Sequence, residues 1–118
     1  MGLDTTHNCW HGSYSSFMDF RRGIAKLINI NLDDYMEFGG EKKGLSEIKH
    51  EIVLLLNHSD CDGELSIEEC CSIVIGLNAI LIKHPELEVE DKWLFDKIIQ
   101  FKEGCIIALS NNEIVVFQ

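Results

Sequence analysis

The 118-residue chain predicts a mainly α, α+β fold. The expected form is a compact four-helix domain, one domain over 1–118, with a small two-stranded sheet made by its N- and C-terminal ends. Three observations predict it. Apolar residues recur at helical spacing in successive stretches. Two strong punctuation marks, Ser66-x-x-Glu69 and His84-Pro85, bracket one of those stretches. The two ends, Leu3 to Thr6 and Ile114 to Phe117, carry short runs suited to strands.

The elements follow in order. Residues 2–6 read as a strand. Helix 1 is expected to start near Ser15 or Ser16, with Ser16-x-x-Asp19 as its capping arrangement. Phe17, Phe20, Ile24, Leu27 and Ile28 form its buried stripe, and Asn29 to Asn31 end it. A polar connection over 31–44 contains Gly39, Gly40 and Gly44. Helix 2 is expected over about 45–57, burying Leu45, Ile48, Ile52, Leu55 and Leu56. After an acidic turn at 57–63, helix 3 starts at the Ser66/Glu69 capping box and runs to Lys83. It is apolar nearly all round, which fits a central helix or a homo-oligomer contact through 66–83. Helix 4 starts within 88–91 and runs to about Ser110, with Leu94, Ile98, Phe101, Cys105 and Leu109 on one face. Gly104 favours an alternative hairpin of 105–109 with 113–117. The long helix, followed by a strand at 114–117 pairing with 2–6, is the preferred reading.

Composition excludes several function classes. The net charge is -10, and 60–118 holds 12 acids against 4 bases. A nucleic-acid backbone calls for the opposite sign. The cysteines, Cys9, Cys61, Cys70, Cys71 and Cys105, are odd in number and contain no C-x-x-C pair, against both a disulfide framework and a zinc ribbon. Cys70, Cys71 and Cys105 sit in apolar stretches and read as small core residues. The N-terminus lacks the pattern of a signal peptide, and the longest nearly apolar run, 70–82, is too short to span a bilayer. A cytoplasmic protein is expected.

Two polar segments carry the chemistry. In 57–69, setting Gly63 at position six of a calcium loop puts Asp60, Asp62, Ser66 and Glu69 at positions three, five, nine and twelve. The segment is therefore similar to an EF-hand loop. The departure is His58 at position one, where a hard cation expects an oxygen. The competing reading is structural: Asp60 and Asp62 cap a turn, and Glu69 serves only the capping box. In 4–14, Asp4, His7, Trp10, His11 and Tyr14 precede the first helix in what reads as loop. The histidines titrate near neutrality and can ligate metal. Trp10 and Tyr14 offer flat faces with a polar handle. Here the competing reading has Trp10 covering the core and the histidines satisfying backbone groups. If both segments lie at one end, Asp4, His7, Trp10, His11, His58, Asp60 and Asp62 converge.

The opening Met1-Gly2-Leu3-Asp4-Thr5-Thr6-His7, then Trp10, Gly12, Tyr14, Phe17 and Arg21, the stretch His58-Ser59-Asp60-Cys61-Asp62-Gly63-Glu64, and the end Val115-Val116-Phe117 together resemble a family of small proteins of bacteria and their phages. The resemblance carries no activity. It implies a phage or prophage origin, the host cytoplasm as compartment, and a role in countering host defences, such as sequestering a nucleotide signal without cleaving it. Trp10 and Tyr14 would stack the base, and Arg21, with Arg22, Lys42 and Lys43, would meet phosphates.

The leading expectation is thus a non-enzymatic small-ligand-binding protein. Its pocket is formed by 4–14 and 57–64, with Asp4, His7, Trp10, His11, Tyr14, Arg21, His58 and Asp60 at the ligand. One alternative is a divalent-metal protein, with Ca²⁺ at Asp60, Asp62, Ser66 and Glu69, or a transition metal at His7, His11, His58 and Asp60. Another is an acidic inhibitor of a host protein, using Glu86, Glu88, Glu90 and Asp91. An enzyme using His58 with Cys61 or Asp60 lacks an orienting third residue.

Overall fold

A computed structural model describes residues 2–35, 40, 50–56 and 63–118. The described chain is mostly helical. Strands β1 (Gly2–Asp4) and β2 (His11–Ser13) lead into α1 (Tyr14–Leu27). After a one-turn 3-10 segment, Leu32–Asp34, come α2 (Val53–Leu56), β3 (Glu64–Leu65), α3 (Ile67–Lys83), α4 (Leu87–Glu90), α5 (Lys92–Ser110) and β4 (Val115–Val116).

The ends meet as the β-rich termini require, but through two sheets. β1 pairs antiparallel with β2, Leu3 opposite Gly12 and Asp4 opposite His11. β3 pairs antiparallel with β4, Leu65 opposite Val115. A single bridge, Thr5 to Phe117, joins the two pairs. Around it, Asp4 N–H donates to the Gln118 carbonyl at 3.3 Å and Gln118 N–H donates to the Asp4 carbonyl at 2.8 Å. The expected partner of the first strand was the C-terminal strand. A tight loop over 5–10 instead folds the chain back on itself, and the nearer partner takes most of the β1 edge.

Helix boundaries follow local chemistry. α1 starts at Tyr14, not after Ser16, because Ser13 is the cap: its Oγ accepts from Ser16 N–H at 3.1 Å. Ser16 instead bonds back to Ser13 through its own hydroxyl. α3 has the full capping box, with Ser66 Oγ accepting from Glu69 N–H at 3.1 Å and the Glu69 carboxylate accepting from Ser66 N–H at 2.9 Å. It ends at Lys83, before His84-Pro85. The His84 ring closes this end, reaching the Leu27 carbonyl at the end of α1 and the Glu86 carboxylate. α5 is one helix from Lys92 to Ser110, capped by Asp91, so the long helix and not the hairpin is formed.

Of the expected second helix, 45–49 and 57 lie outside the described residues, and the structure departs from expectation at 50–52. Within the described residues the helix covers only Val53–Leu56, and 51–52 are a turn. His50 Nδ1 accepts from Ile52 N–H, which competes with helical bonding there. Gly76 of α3 lies against the Ile52 backbone, where a Cβ would sit 3.0 Å from its nitrogen.

The core is one cluster of apolar side chains from every long element. Its centre is aromatic: Trp10, Phe17 and Phe20 touch one another, Phe117 adds to Phe17 and Phe101 to Phe20, at centroid separations of 4.9–6.1 Å. Cys9, Cys70 and Cys105 are buried in it, whereas Cys71, expected to be a core residue, is exposed on α3. Hydrogen bonding to Cys70 and Cys9, together with burial, pushes the Cys105 thiol well above the ordinary range, so it stays a neutral packing group. No helix among the described residues is long and apolar enough to cross a membrane.

The reciprocal cap makes a direct prediction. Ser66→Ala removes the bond from Glu69 N–H to the serine hydroxyl while leaving the backbone Ser66 N–H to bond Glu69. It is expected to cost about 1 kcal/mol, read as a fall of about 4 °C in the thermal midpoint. Ser16→Ala, at the cap the sequence suggested, should cost less.

Candidate functional site

The site is built where the N-terminal segment, the C-terminal strand and the start of β3 meet. The turn over 5–10 is unusual. His7 and Asn8 both have positive φ, 61° and 56°. Asparagine tolerates this region, but histidine there costs energy that the surroundings must offset. The surroundings do hold it. Thr5 N–H donates to the Trp10 carbonyl at 3.0 Å, and Trp10 N–H donates to Thr5 Oγ1 at 2.9 Å. Val116 N–H donates to Thr6 Oγ1 at 2.9 Å. The Gln100 amide donates to the Asn8 carbonyl at 3.1 Å.

The turn also presses into α5 at Gly104. A Cβ there would lie 2.5 Å from Cys9 Sγ and 2.8 Å from the His7 carbonyl. The glycine that weakened the helix reading is the groove that receives this turn.

Two acid–imidazole pairs result. Asp4 and His11, opposite each other on β1 and β2, are hydrogen-bonded through Nδ1 on the exposed side of the pair. His7 Nε2 meets the Glu113 carboxylate at 3.0 Å, and its Nδ1 meets Thr6 Oγ1 at 2.9 Å. The hydrogen bond to His7 holds the Glu113 carboxyl below its ordinary range. The pairs are separate. Among the described residues no three His, Cys, Asp or Glu side chains converge as a metal site would need. His7 and His11 thus do not by themselves form a transition-metal centre.

The remaining expected residues divide clearly. Trp10 is 1 % exposed, with Phe17, Phe20, Trp93 and the Lys97 ammonium around its ring. It is a core residue and has no open face for a ligand base; the aromatic stripe of α1 drew it inward. Its indole N–H has no hydrogen-bond partner among the described residues. Tyr14, the first residue of α1, is half-buried against the core. Arg21 also turns inward. It is 4 % exposed, donates to the Leu56 carbonyl at 3.3 Å and to Met18 Sδ at 3.4 Å, and lies over the Phe17 ring. It is not placed to receive a phosphate from solvent. Arg22 pairs with Asp33 at 3.1 Å.

His58, Asp60 and Asp62, with Cys61, Lys42 and Lys43, lie outside the described residues. The frame of their loop does not. Leu56 sits on Arg21, and the Gly63 carbonyl accepts from Phe117 N–H at 2.9 Å. Phe117 is in turn bridged to Thr5. Gly63 has φ 96°, the region glycine favours and the sharp turn of a calcium loop needs. Of the expected metal ligands beyond it, Ser66 and Glu69 bond each other in the capping box, which uses Glu69 Oε1.

Sequence reasoning missed Glu113, Gln100, Gly104 and Phe117. Gly104 had a signal, a glycine inside a helical pattern. Glu113 and Gln100 had none, because their partners are distant in the chain.

The concavities at other places are ordinary. One of about 210 Å³ lies between the ends of α1 and α3 beside His50, Lys83 and His84. Another of about 310 Å³ lies beside Arg22, Lys26 and Asp33. Neither is lined by the Asp4–His11 segment or by 63–69. Comparison with family models, curated proteins and solved structures gives no match.

Two tests follow. Gly104→Ala must displace the 7–9 turn or the helix, with an expected loss of about 1–3 kcal/mol in chemical denaturation. Glu113 tests the electrostatics. Its folded carboxyl is held low, so its contribution is present above the ordinary value of 4.5 and is lost as pH falls through the depressed value. The urea midpoints of wild type and Glu113→Gln are expected to differ at pH 7 and to converge as pH drops below that ordinary value.

Proposed function

We propose that this chain is a non-enzymatic binding protein whose site is the corner shared by the N-terminal segment and the 58–69 loop, and that its ligand is a divalent cation. One observation carries the reading. The described half of the loop has the conformation a cation loop demands: positive φ at Gly63, extended residues at β3, then a helix opening with Glu69 in its first turn. Asp60 and Asp62 supply the carboxylates at positions three and five, the Glu64 carbonyl stands at position seven, and Glu69 closes the shell.

His58 at position one replaces an oxygen with a nitrogen, which lowers selectivity for a hard cation and widens it toward Mn²⁺ and Zn²⁺. Bidentate ligation by Glu69 exchanges its bond to Ser66 N–H for a bond to metal. Binding is therefore expected to be weaker than in a loop with six oxygen ligands.

A second reading keeps the same corner and takes a small polar organic ligand. It is favoured by the exposed Asp4–His11 pair beside the seam that joins Thr5, Phe117 and Gly63. Such a ligand would be held by hydrogen bonds donated to the Asp4 and Asp60 carboxylates and exchanged with the His11 and His58 rings, and not by stacking on Trp10. A nucleotide signal, as the resemblance to phage proteins suggests, would then be recognised by its polar edges.

The test is titration of Ca²⁺, Mg²⁺, Mn²⁺ and Zn²⁺ into chelator-treated protein, followed by calorimetry and thermal melting. At one hundred times the dissociation constant, the bound ion is expected to add about 2.7 kcal/mol to stability. Asp60→Asn with Asp62→Asn should abolish that gain. Melting that ignores chelator and all four ions overturns the cation reading. An organic mass that survives EDTA in native mass spectrometry establishes the second one.

A further inference from the structure

The outward side of α3 is apolar where a surface helix is normally polar. Ile82 is 81 % exposed and Ile75 is 51 % exposed. Cys71, Asn78 and Ala79 are exposed with them. Positions 71, 75, 78 and 82 fall on one stripe of a helix, opposite the buried Cys70, Ile73, Leu77 and Ile80. The chain carries a net charge of -10, yet 70–82 contains no charged residue. Charge returns only at the two ends of the stripe, as exposed Glu68 and exposed Lys83. Isolated surface hydrophobes need no explanation, but two large aliphatic side chains on one uncharged stripe, broken only by Asn78, offer a contact surface.

We infer that this side of α3 is a self-association surface, occupied by α3 of a second copy of the chain packed antiparallel about a two-fold axis between Ile75 and Asn78. The charges select this occupant and this direction. Antiparallel packing sets Glu68 near Lys83 of the second copy, twice, and opposes the two helix dipoles. Parallel packing would set Glu68 against Glu68 and Lys83 against Lys83. In the antiparallel register Cys71 lies beside Ile82 of the second copy, and Ile75 beside its Asn78. The stripe spans three turns of one helix, so each copy buries on the order of a few hundred Å², below the roughly 800 Å² of a standard interface. The dimer is therefore weak, with a dissociation constant on the order of micromolar or above.

Sedimentation equilibrium over a range of concentrations around that value tests the surface. The expected result is an average mass that rises from one chain toward two, a rise lost in Ile75→Glu and in Ile82→Glu while circular dichroism stays unchanged. Glu68→Lys should weaken association, and Lys83→Glu added to it should restore it. Register is read by cross-linking. Oxidised Ile82→Cys should form a covalent dimer that disappears when Cys71→Ser is added. A single-chain mass at every concentration overturns the inference and leaves the stripe to a different partner. A covalent Ile82→Cys dimer that persists without Cys71 overturns the antiparallel register.

Discussion

The structure depends on the backbone hydrogen bonds of its last four residues. β4 gives one edge to β3, Phe117 N–H goes to the Gly63 carbonyl, and Gln118 exchanges bonds with Asp4. A strand this short gains little from pairing alone. It is held because Val115 and Phe117 are buried, Phe117 against Phe17 of α1. Burial of two side chains thus fixes a backbone ladder, and that ladder fixes both polar segments. Thr5 and Gly63 share a corner because Phe117 stands opposite Thr5 in the bridge beside the Asp4–Gln118 bonds and donates its own N–H to the Gly63 carbonyl, not because either has affinity for the other.

The second support is close approach at α5. Gly104 lets the 7–9 turn lie directly on the helix, and Cys9, Cys70 and Cys105 fill the space beside it. Sulfur suits this role, being small, polarisable and tolerant of irregular gaps. The strained φ of His7 is offset by bonds to β4, to α5 and to the connection between them: Val116 with Thr6, Gln100 with Asn8, and Glu113 with His7 itself. The turn is therefore preformed, and its exposed Asp4–His11 pair stands on a rigid base.

The helical part of this fold was legible because its signals are local. Phe17, Phe20 and Ile24 recur at helical spacing, and the Ser66/Glu69 box and His84-Pro85 bound α3 with nothing distant needed. Ser13 was missed as the cap of α1 because Ser15 and Ser16 offer the same chemistry within a turn; only the end of β2 selects among them. The meeting of the two ends was legible in outline from their strand-like runs. The pairing was not, since a chain that can turn at His7 and Asn8 depends on support from Gln100, Glu113 and Val116. The same gap misled the reading of Trp10 and Arg21. A tryptophan in a polar segment looks available, and an arginine off a helical stripe looks solvated. What buries them is packing by Trp93, Lys97 and Leu56, all remote in sequence, with Met18 one helical turn from Arg21 adding to it.

The seam between Thr6 and Val116 closes a span of 110 positions. Helical turns and the α3–α5 hairpin need only neighbouring segments, whereas this closure must first meet the entropy of ordering nearly the whole chain. The corner is therefore the last part to assemble and the first to open. Amides of α3 and α5 will exchange with solvent only on global unfolding, while those of Asp4, Val116 and Phe117 report a smaller, separate opening. Any ligand taken at that corner acts on this opening before it acts on the helices. Its strength can then be read as slowed exchange at three backbone amides, with no knowledge of the ligand's identity.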